Sequence, residues 1–485
     1  MDLFYLLRDY ETYLVGGAIR DYFLKEDIYD IDIVISANPK FFFEILKKIS
    51  NKYNIFPLDK ERGIYRINLF KNLTVDISRI DDINSDIFKR DFTINSLTVP
   101  LKNSNIKITN EKFNLRLNPK NIINLTGGIK DLKHKIIKTI TPESFHDDPL
   151  RILRAYRFMS WGFKISPKTH KEIVDCKKLI SLSAKERIRE EILKILKSDN
   201  SSSVFKKMAE SEVLFEILPI LKSQIKCAEI YYGKGGVLKH TFNVLKRLDI
   251  LYLSPKKYLS ASKKVIEEIE NRKNEIKMAA LLHDIAKPHK AKVIDNRLRF
   301  FGHEEYGAIL AERILRDYRF SNNEIKYIKT IIANHLRIGN IAHNNIITQK
   351  AILRIFYDLK EAALGLLILS WGDHSSYISE KKLEKSYKKT KAKPFAITNK
   401  LPRTGFKKTL RFLQVVNSII KNYEKYNSKS DIKPLINGDT IMKNLNIPSG
   451  PNVGKILKKL INLQLEGKIK TQKQAINYIK TLKIP

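Results

Sequence analysis

The chain has 485 residues, enough for about three domains, and a hydrophobic fraction of 43%, which is ordinary for a globular protein. Its two cysteines, Cys176 and Cys227, are far apart and form no CxxC pair, which argues against a disulfide framework and a cysteine zinc site. The formal net charge of +38 favours a polyanionic partner, although part of the lysine excess reflects a composition rich in Lys, Ile and Asn.

The sequence shows no pattern of an export signal or a membrane segment. Residues 1–14 lack a charged-then-apolar signal and a small-residue cleavage site. No run approaches the length of about 18 apolar residues that crosses a bilayer. These features, with the sparse cysteines, predict a cytoplasmic protein without a membrane partner.

The segment 14–35 predicts a strand, a glycine turn, a short helix and a second strand. Gly16 and Gly17 follow an apolar run, and glycines at such a turn let backbone N–H groups approach a phosphate closely. Asp30 and Asp32 share one face of the second strand, where two carboxylates suit Mg²⁺ held against a nucleoside triphosphate. Either motif alone is more often a plain turn or a solvated face, but together, in this order, we interpret them as catalytic.

The next elements predict a small sheet. Apolar residues at helical spacing predict a helix over 36–56, and strand-like runs follow at 64–69 and 73–78. Asp76 lies on the polar face of the second run. Residues 100–125 are rich in Asn and Lys and predict an irregular insertion.

A basic helix follows this head. Pro149 behind two acidic residues marks its start, because proline and negative charge both favour a helix N-terminus. Arg151, Arg154 and Arg157 recur every three residues and line one face. Residues 181–197 predict a further helix, and the helical pattern continues to about residue 230.

The C-terminal half contains histidines and acidic residues that suit a divalent metal. Imidazole nitrogens and carboxylates together bind transition metals or Mg²⁺. One buried histidine is more often a core residue than a ligand, so the interpretation depends on their number and order. The residues are His240, His283, Asp284, His303, His335 and Asp373.

The N-terminal motifs resemble those of the class II nucleotidyltransferases, a family of tRNA CCA-adding enzymes, their CC-adding and A-adding relatives, and bacterial poly(A) polymerases. The family motifs GGxxRD, DxD, RRDFTxNAL, GGxxDL and EDxxR correspond, in that order, to residues 16–21, 30–32, 89–97, 127–132 and 147–151. Lys89, Ser96 and Asp147 depart from the family pattern. Glu186 and Arg187 match a late motif, and we expect them to be structural.

The resemblance implies an α+β fold, with a small mixed β-sheet in the nucleotidyltransferase head followed by helices throughout. It implies that Asp30 and Asp32 hold Mg²⁺ and are catalytic, together with Asp76 as the third carboxylate. It also implies that Asp148 and Arg151 read the Watson–Crick edge of the incoming base, and that Arg154 and Arg157 face the triphosphate. The other nucleotide-binding residues that it implies are Gly16, Gly17, Arg20, Asp21, Arg90, Asp91 and Asn95.

The C-terminal residues resemble the metal ligands of the HD superfamily of phosphohydrolases. The resemblance implies a site for Mg²⁺, Mn²⁺, Ni²⁺ or a similar ion with the minimal ligand set His240, His283, Asp284 and Asp373. His303 and His335 would bind a second metal or the phosphate. Some bacterial tRNA nucleotidyltransferases carry such a domain with phosphatase or cyclic phosphodiesterase activity, although a retained metal site can be purely structural.

The resemblance covers nearly the whole chain and predicts five segments. They are a head (1–140), a neck and body for base and RNA binding (141–230), an HD domain (231–380), a basic linker with helices (381–433) and a helical tail module (434–485). The lysine-dense residues 378–400 predict a linker or an exposed basic helix that contacts RNA.

The predicted function is the addition of C, as CC or CCA, to the tRNA 3′ end. CTP and ATP would be the substrates, with two Mg²⁺ ions and no nucleic-acid template. Only residues 79–87 join the Asp76 strand to the next motif, where CCA-adding relatives usually carry a longer flexible loop. This favours CC addition, which would require a separate A-adding enzyme.

Two alternatives remain. A poly(A) polymerase would share the head, although no basic GRRF-like run occurs near residues 62–66. The second alternative is an HD phosphohydrolase whose head merely binds RNA. The complete set of Asp30, Asp32 and Asp76 argues against this alternative.

Overall fold

The computed structural model describes residues 3–60, 63–109, 112–397, 401, 402, 404–428 and 433–482. Residue 62, part of the predicted 62–66 segment, and residues 398–400 of the predicted basic segment lie outside this description. The chain divides into two compact units, formed by residues 1–191 with 208–217 and by residues 192–207 with 218–485. The predicted α+β fold is confirmed, because the main sheet lies near the N-terminus and helices dominate the rest.

A six-stranded mixed sheet organises the first unit, in the order β3-β4-β5-β2-β1-β6. The pair β2 and β5 is parallel, and every other neighbouring pair is antiparallel. Its strands are β1 (Thr12–Val15), β2 (Asp30–Ser36), β3 (Ile55–Asp59), β4 (Ile64–Phe70), β5 (Leu73–Ile80) and β6 (Thr98–Pro100). The parallel pair places Asp32 directly opposite Asp76.

The predicted helix over 36–56 is shorter in the structure, because Asn38 accepts a hydrogen bond from the Phe41 N–H and so fixes the first turn. In chain order, the α-helices of residues 3–217 are α1 (Leu3–Leu7), α2 (Gly17–Leu24), α3 (Pro39–Ser50), α4 (Ile83–Lys89), α5 (Gly128–Lys133), α6 (Ser144–Asp147), α7 (Arg151–Ser160), α8 (Pro167–Cys176), α9 (Lys185–Lys197), α10 (Ser201–Glu210) and α11 (Val213–Ile217).

The prediction of an irregular insertion over residues 100–125 is wrong. Strands β7 (Ser104–Thr109) and β8 (Lys112–Leu117) form an antiparallel hairpin. Its alternating apolar side chains, among them Ile106, Phe113 and Leu115, are buried, and Phe113 packs against Phe4. The Asn- and Lys-rich composition conceals this alternation, which is the signal that predicts a strand. A further parallel pair consists of β9 (Ile136–Ile137) and β10 (Lys164–Ile165).

The second unit is built mainly from helices around the buried helix α22 (Ala362–Ser375), whose Trp371 is fully enclosed. In chain order, its remaining α-helices after residue 217 are α12 (Glu229–Tyr232), α13 (Gly236–Leu253), α14 (Pro255–Tyr258), α15 (Lys263–Asn271), α16 (Lys273–Leu282), α17 (Lys287–Lys290), α18 (His303–Asp317), α19 (Asn322–Asn334), α20 (Arg337–His343), α21 (Gln349–Leu359), α22 (Ala362–Ser375), α23 (Glu380–Thr390), α24 (Phe406–Lys421), α25 (Tyr423–Asn427), α26 (Gly438–Leu445), α27 (Pro451–Leu465) and α28 (Gln472–Lys480).

Within the described part of this unit, a hairpin interrupts the helices where the sequence predicted helices only. Strands β11 (Lys292–Ile294) and β12 (Arg297–Arg299) pair antiparallel around Asp295 and Asn296, which have φ angles of 49° and 56°. Two-residue hairpin loops favour Asp and Asn because these residues tolerate positive φ. The sequence therefore contained a turn signal for this hairpin.

The tail helices α26, α27 and α28 share a hydrophobic cluster that includes Ile441, Leu460 and Ile479. Within the lysine-dense segment, Ser379 caps helix α23 by accepting a hydrogen bond from the Lys382 N–H. The expected contact of this helix with RNA stays a prediction. Among the described residues, every helix is too short or too polar to cross a membrane.

Candidate functional sites

The first site lies at the end of the parallel strand pair. Asp30 is exposed and Asp32 is half-buried, and both line a cavity of about 570 Å³. Burial raises the pKa of Asp32, and the charges of Asp76 and Asp30 raise it further, whereas Arg90 and Arg154 oppose the shift. A bound cation would relieve this repulsion and favour the ionised carboxylates, so the donor set fits Mg²⁺.

Asp76 occupies a different environment from the other two carboxylates. Both of its oxygens accept hydrogen bonds from Arg66 on β4, with distances of 2.7 and 2.8 Å from Nε and Nη2. Asp30 accepts a hydrogen bond of 2.7 Å from the Thr74 hydroxyl and remains at the cavity. The structure thus brings Asp30 and Asp32 to the cavity and holds the Asp76 carboxylate against Arg66.

The glycine turn closes one side of the cavity. Gly16 has a φ of 68°, and a Cβ atom at this position would lie 2.9 Å from Nη1 of Arg90. Only glycine satisfies both requirements without displacing this arginine. Gly17 begins helix α2, so the positive end of the helix dipole lies at the cavity edge, where it would favour a bound anion.

A chain of hydrogen bonds fixes the cations of the cavity. Arg20 donates to Asn95 Oδ1 at 2.7 Å, Asn95 donates to Asp91 Oδ1 at 2.9 Å, and Arg154 donates to Asp91 Oδ2 through Nε at 2.8 Å. Burial opposes ionisation of Asp91, but Arg154 and Asn95 lower its pKa to about 2. Asp91 and Asn95 therefore hold the two guanidinium groups in place. Arg20 also pairs with Asp21 at 2.8 Å.

The residues predicted to read the base already have protein partners. Asp148 Oδ2 lies 2.8 Å from Nη2 of Arg187, and Arg151 donates to the Lys89 and Ser144 carbonyls at 2.6 and 3.1 Å. Arg187 lines the cavity, although the sequence predicted a structural residue. The match of Arg187 to a late family motif was the signal that could have marked it as a site residue. The motif did not identify its partner, because Asp148 lies 39 residues away in the sequence.

Arg157 lies deepest among the basic residues of α7. It pairs with Glu191 at 2.9 Å, and burial lowers its pKa to about 10 despite this partner. All predicted nucleotide-binding residues line the cavity, namely Gly16, Gly17, Arg20, Asp21, Arg90, Asp91, Asn95, Asp148, Arg151, Arg154 and Arg157. Lining residues absent from the sequence prediction are Asp27, Tyr29, Asp86, Lys89 and Arg187.

The second site is a histidine cluster in the helical unit. Helices α13, α18 and α22 contribute residues, as do the segments that follow α16 and α19. The ligand atoms form two groups, each within 4.8 Å, and the members are His240, His283 and Asp373 in one group and Asp284, His303 and His335 in the other. All six predicted metal-capable residues thus converge.

Hydrogen bonds on the far side of the rings orient the cluster. The Nδ1 atoms of His283, His303 and His335 lie 2.7–2.8 Å from the carbonyls of Ala280, Phe300 and Ile332. A ring nitrogen that faces a carbonyl donates to it, so in the neutral ring Nε2 carries the free electron pair that a metal needs. Burial lowers the pKa of His335 to about 3, which keeps this ring neutral.

Asp284 belongs to the second group and also lies close to the two histidines of the first. Its Oδ2 is 3.1 Å from His283 Nε2 and 3.6 Å from His240 Nε2, and its Oδ1 is 3.3 Å from His303 Nε2. Among the described residues, the buried His240 Nε2, His283 Nε2, Asp284 Oδ1 and Asp373 Oδ1 have no hydrogen-bond partner. Buried polar atoms are rarely left in this state, so these imidazole and carboxylate donors fit divalent metal ions, which the two groups would hold.

Comparisons with known proteins match three parts of the chain. Residues 12–138 match the model of the poly A polymerase head domain, residues 162–225 a probable RNA and SrmB-binding site of polymerase A, and residues 237–377 the HD domain. The chain is 24% identical to a CC-adding tRNA nucleotidyltransferase of Thermus thermophilus, over 97% of this chain and 93% of that protein.

Other relatives match over shorter regions or in structure alone. A CCA-adding enzyme of Lactobacillus delbrueckii is 31% identical over 41% of this chain and 49% of that enzyme, so the match spans about half of its length. The structure of the Thermotoga maritima CCA-adding enzyme complexed with tRNA aligns with a TM-score of 0.55 and 21% identity, covering 97% of this chain and 90% of that chain. The structure of a Bacillus stearothermophilus CCA-adding enzyme in complex with CTP aligns with a TM-score of 0.60 and 17% identity, covering 98% of this chain and 95% of that chain. These alignments show a shared fold.

Proposed function

The chain belongs to the poly(A) polymerase and tRNA nucleotidyltransferase family, and on this premise we propose that it adds C residues to the 3′ end of tRNA, with CC as the product. The observation that carries this proposal is a single cavity containing Asp30, Asp32, a glycine turn and a network of arginines. The full-length relative from Thermus thermophilus is described as CC-adding.

The chemistry requires two carboxylates beside a triphosphate site. Asp30 and Asp32 would hold two Mg²⁺ ions, which activate the RNA 3′-oxygen and stabilise the departing pyrophosphate. Arg20, Arg90 and Arg154 would bind phosphate oxygens, since each guanidinium is oriented by a carboxylate or an amide. Asp76 would join the nucleophile-side metal, which requires it to exchange its contact with Arg66.

Base selection would come from the protein. Asp148 accepts and Arg151 donates, so together they can pair with the edge of C or A as a complementary base would. Arg187 holds Asp148 in the structure and is therefore a third residue of this proposed reader. The incoming base would take over a contact that Arg187 now makes.

The link between β5 and α4 supports CC addition. β5 ends at Ile80 and α4 begins at Ile83, with Asp82 capping the helix through the Ser85 N–H at 2.8 Å. A short, capped link leaves no room for the longer loop that the family associates with adding the terminal A. The A residue would then come from a separate enzyme that uses ATP.

The test uses a tRNA lacking its 3′ CCA, labelled CTP and Mg²⁺. We expect incorporation by the unaltered protein and its loss in Asp30→Ala, while Asp59→Ala, a control on β3, retains it. Undiminished incorporation by Asp30→Ala would show that the head does not perform the transfer.

We propose a second activity, the hydrolysis of phosphoesters, for which the two ligand groups of the histidine cluster would hold divalent metal ions. Convergent Nε2 atoms on both sides of Asp284 favour it over a single structural metal. The full-length protein would be incubated with p-nitrophenyl phosphate and Mg²⁺, Mn²⁺ or Ni²⁺ in turn. Release of phosphate is expected with at least one ion, and no release with any of them would leave the metal site structural.

A further inference from the structure

A cavity of about 630 Å³ adjoins the histidine cluster. Asp284, His335, Asp373 and Lys287 are among the residues that line it. Residues of the segment 404–412, which includes the start of α24, also line the cavity and lie outside the HD match over residues 237–377. A segment beyond the matched domain therefore completes the space above the metal ligands.

The charges of this cavity favour an anion once metal is bound. Its two carboxylates, Asp284 and Asp373, are both metal ligands in the proposed site, so divalent ions more than neutralise them. Lys287 donates to Asp284 Oδ2 at 2.6 Å and to the Tyr232 hydroxyl at 2.9 Å, which fixes its position. Lys408 lies on α24 close enough to Asp373 to interact with it electrostatically. The loaded cavity would carry a net positive charge.

The start of α24 adds a second source of positive potential. The helix has 16 residues and begins after Gly405, whose φ of 95° is a left-handed conformation, and no described side chain caps its first turn. The first N–H groups of a helix lack partners within the helix and attract anions. An independent observation points to a cation beside this helix end, because Asp284, which is 1% exposed, lines the cavity and its Oδ1 has no hydrogen-bond partner among the described atoms. A metal ion held by this carboxylate would add to the positive potential that attracts an anion.

We propose that the first turns of α24 form the phosphate-binding wall of the HD site, with Lys408 binding the phosphoryl oxygens of a phosphate monoester. This inference rests on the proposed hydrolase function of that site. In hydrolysis, the water oxygen forms a bond to phosphorus, the ester P–O bond breaks, and the leaving oxygen takes up a proton to give an alcohol and inorganic phosphate. Lys408 contributes charge and a hydrogen bond and transfers no proton.

The test compares Lys408→Met with Lys382→Met in the full-length, Mn²⁺-loaded protein. Lys382 is the matched control, because it lies 4.6 Å from the Phe406 ring of the same helix but outside the cavity wall. Both variants would carry Asp30→Asn and Asp32→Asn, which remove the proposed head metal. Binding of inorganic phosphate is measured by isothermal titration calorimetry, with the KM and kcat for p-nitrophenyl phosphate as a second readout.

We expect the phosphate Kd of Lys408→Met to rise about tenfold, as for a lost hydrogen bond to a charged group, while Lys382→Met is unchanged. KM should rise more than kcat falls, and Lys408→Arg should restore most of the binding. An unchanged Kd in Lys408→Met would overturn the role of α24 alone, provided that the parent binds phosphate. Absence of phosphate binding and of hydrolysis in the parent would overturn the hydrolase function as well.

Discussion

In the head cavity the carboxylates are mostly paired with arginines, whereas in the histidine cluster the ligand atoms face one another. Asp91 and Asp148 in the cavity, and Asp76 opposite Asp32 on the neighbouring strand, each accept from an arginine, at distances of 2.6–2.8 Å. In the cluster, by contrast, buried atoms such as His283 Nε2 have no hydrogen-bond partner among the described residues. Under the proposed function, the head exchanges internal ion pairs when substrate and metal enter. In the cluster, the comparable ion pair joins Lys287 to Asp284 Oδ2 at 2.6 Å, and the imidazole Nε2 atoms are already arranged for metal.

The largest expected effect is a loss of metal from the histidine cluster that leaves the activity of the head unchanged. Asp284→Asn removes the charge shared by both ligand groups, so we expect loss of nearly all bound transition metal, measured by mass spectrometry of the purified protein. CTP incorporation into tRNA should stay near the parent value. Asp317→Asn, at the end of α18, is the control and should keep its metal. Full metal retention in Asp284→Asn would contradict the bridging position of this residue.

A smaller effect concerns the ion pair at the centre of the head network. Asp91→Asn leaves Arg154 without its charged partner, and we expect a loss of about 2 kcal/mol in the stability of the first unit. In a Trp371→Phe background, Trp161 fluorescence reports urea unfolding of that unit.

The difference in unfolding free energy between the parent and Asp91→Asn depends on pH through the pKa of Asp91. The pKa is about 2 in the folded protein against an ordinary 3.8, so the unfolded chain binds the proton more readily. The contribution of Asp91 is therefore complete above a pH of about 4 and is lost as the pH falls toward about 2. A difference between parent and Asp91→Asn that stays constant from pH 7 to pH 2.5 would contradict this assignment.

The smallest expected effect is a change in Mg²⁺ dependence when the ion pair between Arg66 and Asp76 is removed. Arg66→Met frees this carboxylate, so the Mg²⁺ concentration for half-maximal CTP incorporation should fall by up to about fivefold, as for a partly exposed ion pair. Arg79→Met, which removes a pair with Asp81 on the same sheet, should leave it unchanged. An Mg²⁺ dependence that Arg66→Met does not alter would exclude Asp76 as a metal ligand.

Local patterns in the sequence predicted much of this structure. The alternation around Asp30 and Asp32 specified a strand and its polar face, and the order of the histidines indicated one cluster. The pairing of Asp76 with Arg66 could not be predicted, because it depends on the register between β4 and β5. The hairpin over residues 104–117 was hidden by a polar composition, although its alternating apolar residues were present.

The partner of Asp148 shows the same limit at longer range. Arg187 lies on a separate helix, and only the packing of α9 near the end of α6 brings the two side chains to 2.8 Å. The carbonyl partners that orient His283, His303 and His335 also depend on backbone geometry at helix boundaries. Residue types were therefore predictable, while the contacts that restrain them required the fold.

The most direct measurement of the central claim is the length of the product made from a tRNA that lacks CCA. The purified protein is incubated with Mg²⁺ and CTP, with or without ATP, and the RNA is resolved at single-nucleotide length. Two added C residues, with no further growth when ATP is present, are the predicted result. Growth to CCA would contradict CC addition and the inference from the short link before α4, and a long A tail would identify a poly(A) polymerase instead.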